Sequence, residues 1–286
     1  MKICLLHQTY QKKSYNTRRK QSLENAISKD NEDYQKNIEV KVPTFWGGEM
    51  SVVLPEDVSV SIWRYGYFEE DVVRYMLRFL TEGMTFIDIG AHFGFFTLLG
   101  SYLVGKSGKV LAFEPTPTTY QQLKKNIVCY SNNFNIEIYN CAAFSKETEI
   151  KFFDCGLVNS AYNSIFGLRK TDRSSIIKNE ITVKARKIDD VLKGKKFKNL
   201  NFIKIDAESS EIHVLKGMIE TLKNYKPNII IEVGDFEVHG VPKSKEIITW
   251  LEQMNYSPYE IHNGEIVSHI VRERYEYCNL LFLANK

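Results

Sequence analysis

Long apolar runs are missing from this 286-residue chain: no segment approaches the ~20 consecutive apolar residues that span a bilayer, so no transmembrane segment is expected. The opening MKICLLHQTY has one lysine and an apolar stretch far shorter than the core of a secretion signal. Cysteine is scarce as well. Cys4, Cys129, Cys141, Cys155 and Cys278 are odd in number and scattered, with no CxxC pair and no Cys/His cluster at metal-ligand spacing, which argues against a disulfide scaffold or a zinc module. They read as reduced thiols, and the chain is expected in the cytoplasm. Charge of one sign is lacking too: an excess of +3 gives no electrostatic ground for a nucleic-acid partner, and none is expected. What remains, 43% apolar and 26% charged residues, is ordinary globular composition, enough for one domain with extensions.

Residues 11–37 are polar, with a basic cluster at Arg18, Arg19 and Lys20 and no sustained periodicity. They read as a solvated arm; recruiting an anionic substrate or helping a homodimer form are the alternatives. From Ile38 to Trp63 come short β-prone runs, IEVKVPTFW, SVVLP and VSVSIW, broken by Gly47, Gly48 and Pro55. Residues 1–66 are therefore expected as a polar arm and β-rich cap, and 67–286 as the main domain.

FEEDVVRYMLRFL (68–80) has helical spacing and stops before Gly83, a C-cap region. Strand and helix then alternate. Strands are expected at 85–90, 109–114, 136–142, 201–206 and 228–233, and helices from near Phe95, Pro117, Ser210 and Lys243. Strands apolar nearly throughout imply a parallel sheet covered on both faces. Two further strands near 259–262 and 279–285 give an α/β, Rossmann-like sheet of seven strands, mostly parallel with an antiparallel C-terminal end. EIKFF (149–153) and ITVKARK (181–187) flank a polar loop, 154–180, long enough to be functional or disordered.

The strongest local signal is FIDIGAHFG (86–94), in which a strand runs into Gly90, the loop Ala91, His92, Phe93, then Gly94 and a helix. Small residues there let backbone approach a ligand, and a helix N-terminus leaves N–H groups facing it. Asp88 and the DxGxxxG spacing differ from the GxGxxG of dinucleotide enzymes, so no pyrophosphate need be held. A cofactor with an amino-acid end fits better, its ammonium facing carboxylates; a tight turn without ligand is the alternative. Glu114 ends the next strand, where an acid can accept both hydroxyls of a ribose, and Pro115 follows it. Ala142 and Ala143, in NCAAFS, leave room for a flat base on the same rim, although alanine pairs are also common in cores.

These blocks, together with IKIDAESSEIHVLKG (203–217), KPNIIIEV (226–233), FEPTPTTYQQLKKN and RKIDDVL, resemble the FkbM family of class I methyltransferases over roughly Tyr67 to Glu237. The resemblance implies S-adenosyl-L-methionine as cofactor and O-methylation of a hydroxyl on a sugar, glycan or small natural product. One departure stands out. Where the family has Asp-x-Glu-Gly-x-Glu, this chain has Asp206, Glu208, Ser209, Ser210 and Glu211, and serine is less permissive than glycine.

Methyl transfer from a sulfonium is an in-line displacement, and a hydroxyl acceptor also needs its proton removed, by a base or by a metal that lowers its pKa. Asp206 and Glu232, near the ends of adjacent strands, suit a general base with a helper or a hard-cation site for an ion such as magnesium. His239, in GDFEVHG, is a candidate base, ligand or acceptor contact, or else a surface histidine. His92 is expected to face the cofactor's amino-acid end rather than the acceptor, and His213 to lie on a helix face. Tyr67 and Glu69 either fold over the methionine end or begin a helix. Tyr10, Tyr65 and Tyr162 fall in or near lid segments suited to stacking on sugars. The competing functions are a nicotinamide-dependent oxidoreductase and a non-catalytic binding protein on the same fold.

Overall fold

The computed structural model describes residues 37–130, 133–166, 179–195, 197–235 and 240–285. The chain begins with a hairpin, β1 (Ile38–Pro43) and β2 (Glu49–Leu54), then α1 (Asp57–Tyr65) and α2 (Glu70–Phe79). The alternating core follows as β3 (Thr85–Ile89), α3 (Phe95–Val104), β4 (Lys109–Phe113), α4 (Pro117–Cys129) and β5 (Ile136–Tyr139). An insertion contributes β6 (Ala142–Ala143), β7 (Thr148–Asp154) and β8 (Asn179–Arg186), with a 3-10 turn at Leu157–Tyr162. Then come α5 (Ile188–Leu192), β9 (Phe202–Ile205), α6 (Glu211–Lys216), α7 (Ile219–Tyr225), β10 (Asn228–Val233) and α8 (Ser244–Gln253). The chain closes with β11 (Tyr256–His262), β12 (Glu265–Ser268) and β13 (Cys278–Ala284).

The main sheet among the described residues runs β12-β11-β13-β10-β9-β3-β4-β5. From β5 to β10 the pairs are parallel, and β13, β11 and β12 add antiparallel pairs. The expected seven strands are present, and β12 adds an eighth at the antiparallel edge. After β3 the chain builds outward through β4 and β5, then returns to place β9 on the other side of β3. That reversal is a topological switch point, where open α/β sheets bind ligands beyond the strands' carboxyl ends.

Period-two alternation sends the sheet's side chains into two separate cores. Phe86, Val110, Phe202, Ile230 and Leu281 join one core with α2, α3 and α4; Ile87, Leu111, Ile203, Ile231 and Phe282 join the other with α6 and α8. The hairpin shares the first core through Val42, Trp46, Met50, Val52 and Val53. It is also tied down by Asn126 of α4, whose Oδ1 accepts from Ser51 N at 2.7 Å and whose Nδ2 donates to Ser51 O and Phe93 O.

Three local expectations need correction. VSVSIW is the helix α1, because both oxygens of the buried Glu56 carboxylate accept N–H groups of Val58 and Ser59, and Gly66 closes the far end in the left-handed region. Capping and burial of Ser59 and Ile62 outweigh the β preference of its valines. The segment 136–142 is not one strand: it ends at Tyr139, and Ala142–Ala143 pairs with β8 in a second, three-stranded sheet. The helix α2 ends at Phe79 with Leu80 as its cap, and Gly83 belongs to the next turn. The loop 154–180 is ordered in its first part, where Asn163 receives Cys155 N and donates toward Thr116 and Thr119; residues 167–178 lie outside the described residues. No helix among the described residues is long and apolar enough to cross a membrane, and no disulfide joins the described cysteines Cys129, Cys141, Cys155 and Cys278.

Candidate active site

A cleft of about 470 Å³ opens over the carboxyl ends of β3, β4, β9 and β10. Its walls include Gly90, Ala91, His92, Phe93, Glu114, Pro115, Ala142, Ala143, Asp206 and Glu232, the greater part of the rim expected from sequence.

The glycine loop is built differently from the expectation. The amides of Gly90 and Ala91 both donate to Phe113 O at 3.0 Å, His92 N donates to Glu114 Oε2, and Gly94 N donates to Ala91 O. These N–H groups are used inside the protein rather than left for a ligand. Gly90 (φ 79°) is required because a Cβ there would lie 1.8 Å from Asp206 O, so the glycine serves the close approach of the β3 and β9 ends. Gly94 (φ 93°) is off the cleft wall; a Cβ there would strike Leu123 at 2.6 Å, so it seats α3 against α4.

Asp88 also stands behind the wall. It is 1% exposed, and its carboxylate accepts Thr97 Oγ1 at 2.6 Å, fastening β3 to the first turn of α3. Burial pushes its pKa up to about 6, against the opposing pull of Lys204 and Thr97. Glu114 does face the cleft. Its oxygens accept His92 N and Thr116 N, each at 3.0 Å, and burial pushes its pKa up to about 7. His92 (φ 52°) lies on the wall with Nε2 2.7 Å from Ser160 Oγ, which draws the 3-10 turn over the cleft; burial lowers its pKa. Tyr162 reaches from that turn to the Asp57 carboxylate and lines the cleft.

Tyr67 and Glu69 do not fold over the cleft: the Tyr67 hydroxyl donates to Glu70 Oε2, and Glu69 Oε1 accepts from Asn279 Nδ2 at 2.6 Å. Phe68 between them lines the wall instead. His213 stacks on Phe144, as a helix-face residue would. Tyr65 packs against Tyr67 and is 46% exposed, off the wall. His239 and Tyr10 lie outside the described residues.

The residue missed by sequence reasoning is Lys204. It sits in mid-β9, 1% exposed, on the first core face, in register with Asp88 of β3 and Ile230 of β10. Its Nζ lies 2.9 Å from Asp206 Oδ2, 3.5 Å from Glu69 Oε2 and 4.7 Å from the centre of the Phe96 ring. Burial works against this ammonium, but the carboxylates of Asp206, Glu69 and Asp88 outweigh it and raise its pKa. Across the strand, burial together with Asp206, Glu208 and Glu69 pushes the pKa of the Glu232 carboxyl well above the ordinary carboxylate range. The signal was visible as a lysine in the middle of the apolar run of NFIKID, two residues before Asp206.

Glu69, Asp206 and Glu232 gather oxygens within 4.8 Å of one another, the shape of a cation site. One oxygen of that trio is already taken against a divalent ion, because Lys204 Nζ holds Asp206 Oδ2 at 2.9 Å. A magnesium ion bonded to that oxygen at about 2.1 Å would stand within roughly 5 Å of the ammonium, a repulsion of about 7 kcal/mol at an effective dielectric of about 20.

Residues 88–258 match the sequence model of the methyltransferase FkbM domain. The chain is similar to methyltransferase 1 of Beauveria bassiana, 24% identical over 194 residues that cover 61% of this chain and 76% of that protein. It is also similar to the hexuronic acid methyltransferase AglP of Haloferax volcanii, 25% identical over 198 residues, 68% of this chain and 74% of that one. Among solved structures, it matches the methyltransferase FkbM from Methylobacillus flagellatus with a TM-score of 0.44 and 18% identity, over 77% of this chain and 46% of that one. The chain thus spans about half the length of that solved protein.

Proposed function

The chain belongs to the FkbM family of methyltransferases, and from that premise we propose that it moves the methyl group of S-adenosyl-L-methionine to a hydroxyl of a sugar, a glycan or a small natural product. The carrying observation is the switch-point cleft, with Glu114 at the end of β4 and Asp206 and Glu232 at the ends of β9 and β10. Its volume, about 470 Å³, is within the range of small-molecule sites. The two Glu114 oxygens each accept one backbone N–H, which aims the carboxyl into the cleft where a ribose would lie. Ala142 and Ala143 leave a flat apolar slot beside it.

The cofactor supplies an electrophilic methyl on a sulfonium. The chain's own residues must align the acceptor, exclude water and take a proton. With an acceptor aligned in the cleft, the Asp206 carboxylate would take up the hydroxyl proton displaced during transfer. Glu232, whose pKa burial and the neighbouring carboxylates raise, lines the same rim beside Asp206. Phe68 and Phe96 close the apolar side of the cleft.

A sugar acceptor draws support from the relative named for hexuronic acid. The nicotinamide reading loses ground, because a pyrophosphate would need the loop amides that Phe113, Glu114 and Ala91 already occupy.

Isothermal calorimetry on the folded chain is expected to give micromolar binding of S-adenosyl-L-methionine, with no fluorescence enhancement of NADH. S-adenosylhomocysteine release is then read against panels of free sugars, glycans and small alcohols. No heat and no thermal stabilisation with S-adenosyl-L-methionine would end this reading.

A further inference from the structure

We propose that Lys204 is a positioning residue that takes the place of a metal ion in this cleft: its sealed ammonium neutralises and aims the Asp206 carboxylate, so that the transfer runs without a divalent cation. The inference rests on the methyl-transfer reading of the same cleft.

Lysine is an expensive choice at this position. Phe202, Ile203 and Ile205, its neighbours in β9, are fully buried, and Lys204 has 1% of its surface exposed. A buried ammonium persists only when its charge and its donors are met. Here one hydrogen bond, to Asp206 Oδ2 at 2.9 Å, an ion pair with Glu69 Oε2 at 3.5 Å and the Phe96 ring at 4.7 Å surround it. Glu69 is itself held by Asn279, at 2.6 Å, so the far side of the ammonium is fixed.

A hard cation in a transferase site would do two things for Asp206: balance its charge and hold one rotamer. The Lys204 ammonium does both from inside the sheet, where its backbone is paired on either side by β3 and β10. Asp206 N is likewise pinned to Ile89 O at 3.0 Å. The carboxylate is therefore anchored at both ends while it lines the cleft. Glu69, Asp206 and Glu232 have the spacing of a cation trio, and their cation is covalently part of the chain.

Manganese(II) is the probe, titrated into the full chain and followed by electron paramagnetic resonance. The wild type is expected to bind no manganese below millimolar concentration at this site. Lys204→Met, which keeps the apolar stem and removes the charge, should gain one ion per chain at least about tenfold more tightly. Adding Asp206→Asn to Lys204→Met should abolish that ion, and Lys204→Arg should remain ion-free. A purely structural lysine would not create a metal site on removal.

A wild-type manganese site lost in Asp206→Asn overturns the proposal, as does a folded Lys204→Met chain, checked by circular dichroism, that binds none. Lys204→Gln serves if Lys204→Met does not fold; should neither fold, the wild-type and Asp206→Asn titrations decide. Calorimetry with S-adenosyl-L-methionine on the same preparations separates the two ideas. Absent cofactor binding sinks the methyl-transfer reading whatever manganese does, whereas cofactor binding beside a wild-type manganese site sinks only the role given to Lys204.

Discussion

Asp206 and Glu114 face the same cleft with different chemistry, because their surroundings differ. Asp206 has an ammonium at 2.9 Å, whereas Glu114 is 5% exposed and held by backbone amides. Asp206→Asn should lower turnover by about two to four orders of magnitude and shift S-adenosyl-L-methionine affinity far less, a split read from kcat and calorimetry together. Glu114 is expected to leave a mark on stability. Its pKa is raised from 4.5 to about 7 in the folded protein, so the folded state binds the proton more tightly than the unfolded chain. The resulting stabilisation is complete below the unfolded value and fades as pH rises through about 7, up to about 3 kcal/mol in all. Glu114→Gln cannot ionise. Thermal melts at about pH 4.5 and about pH 7.5 should therefore differ less in the variant than in the wild type; an unchanged gap would show that burial does not set this carboxyl's pKa.

At the scale of elements, the turns after β3 and β9 decide whether the cleft exists. Gly90 lets the end of β3 pass Asp206 O, and the left-handed pair Glu208 (φ 49°) and Ser209 (φ 78°) carries the chain from β9 into α6. Gly90→Ala combines positive φ with a 1.8 Å clash against backbone, and should cost more than about 3 kcal/mol in urea unfolding. Ser209→Gly is expected to act in the opposite direction. It places glycine where the resemblance has one, at a left-handed position, and should raise stability by about 1 kcal/mol in the same assay. The strain at Ser209 was legible beforehand as serine in the glycine position of the motif. The clash at Gly90 was not, because the atom it avoids lies on a strand more than a hundred residues away.

At the scale of the whole molecule, the hairpin, α3 and α4 share one core, so residues 38–66 are not separable from those after them. A chain starting at residue 67 exposes the apolar faces of α3 and α4 that Trp46, Met50 and Val52 cover. It is expected to be insoluble or to lose cooperative melting, checked by soluble yield and calorimetric scanning. The order of strands and helices, the glycine loop and the acid at the end of β4 were readable from residue order, because alternation, helical spacing and turn chemistry are local properties of the chain. Tertiary structure alone decided that the loop amides are consumed internally, that Asp88 and Glu69 stand behind the wall, and that VSVSIW is a helix. It alone also brought Lys204 to Asp206 and Glu69, since a side chain's partners are set by which strands become neighbours, and the sequence does not state that order.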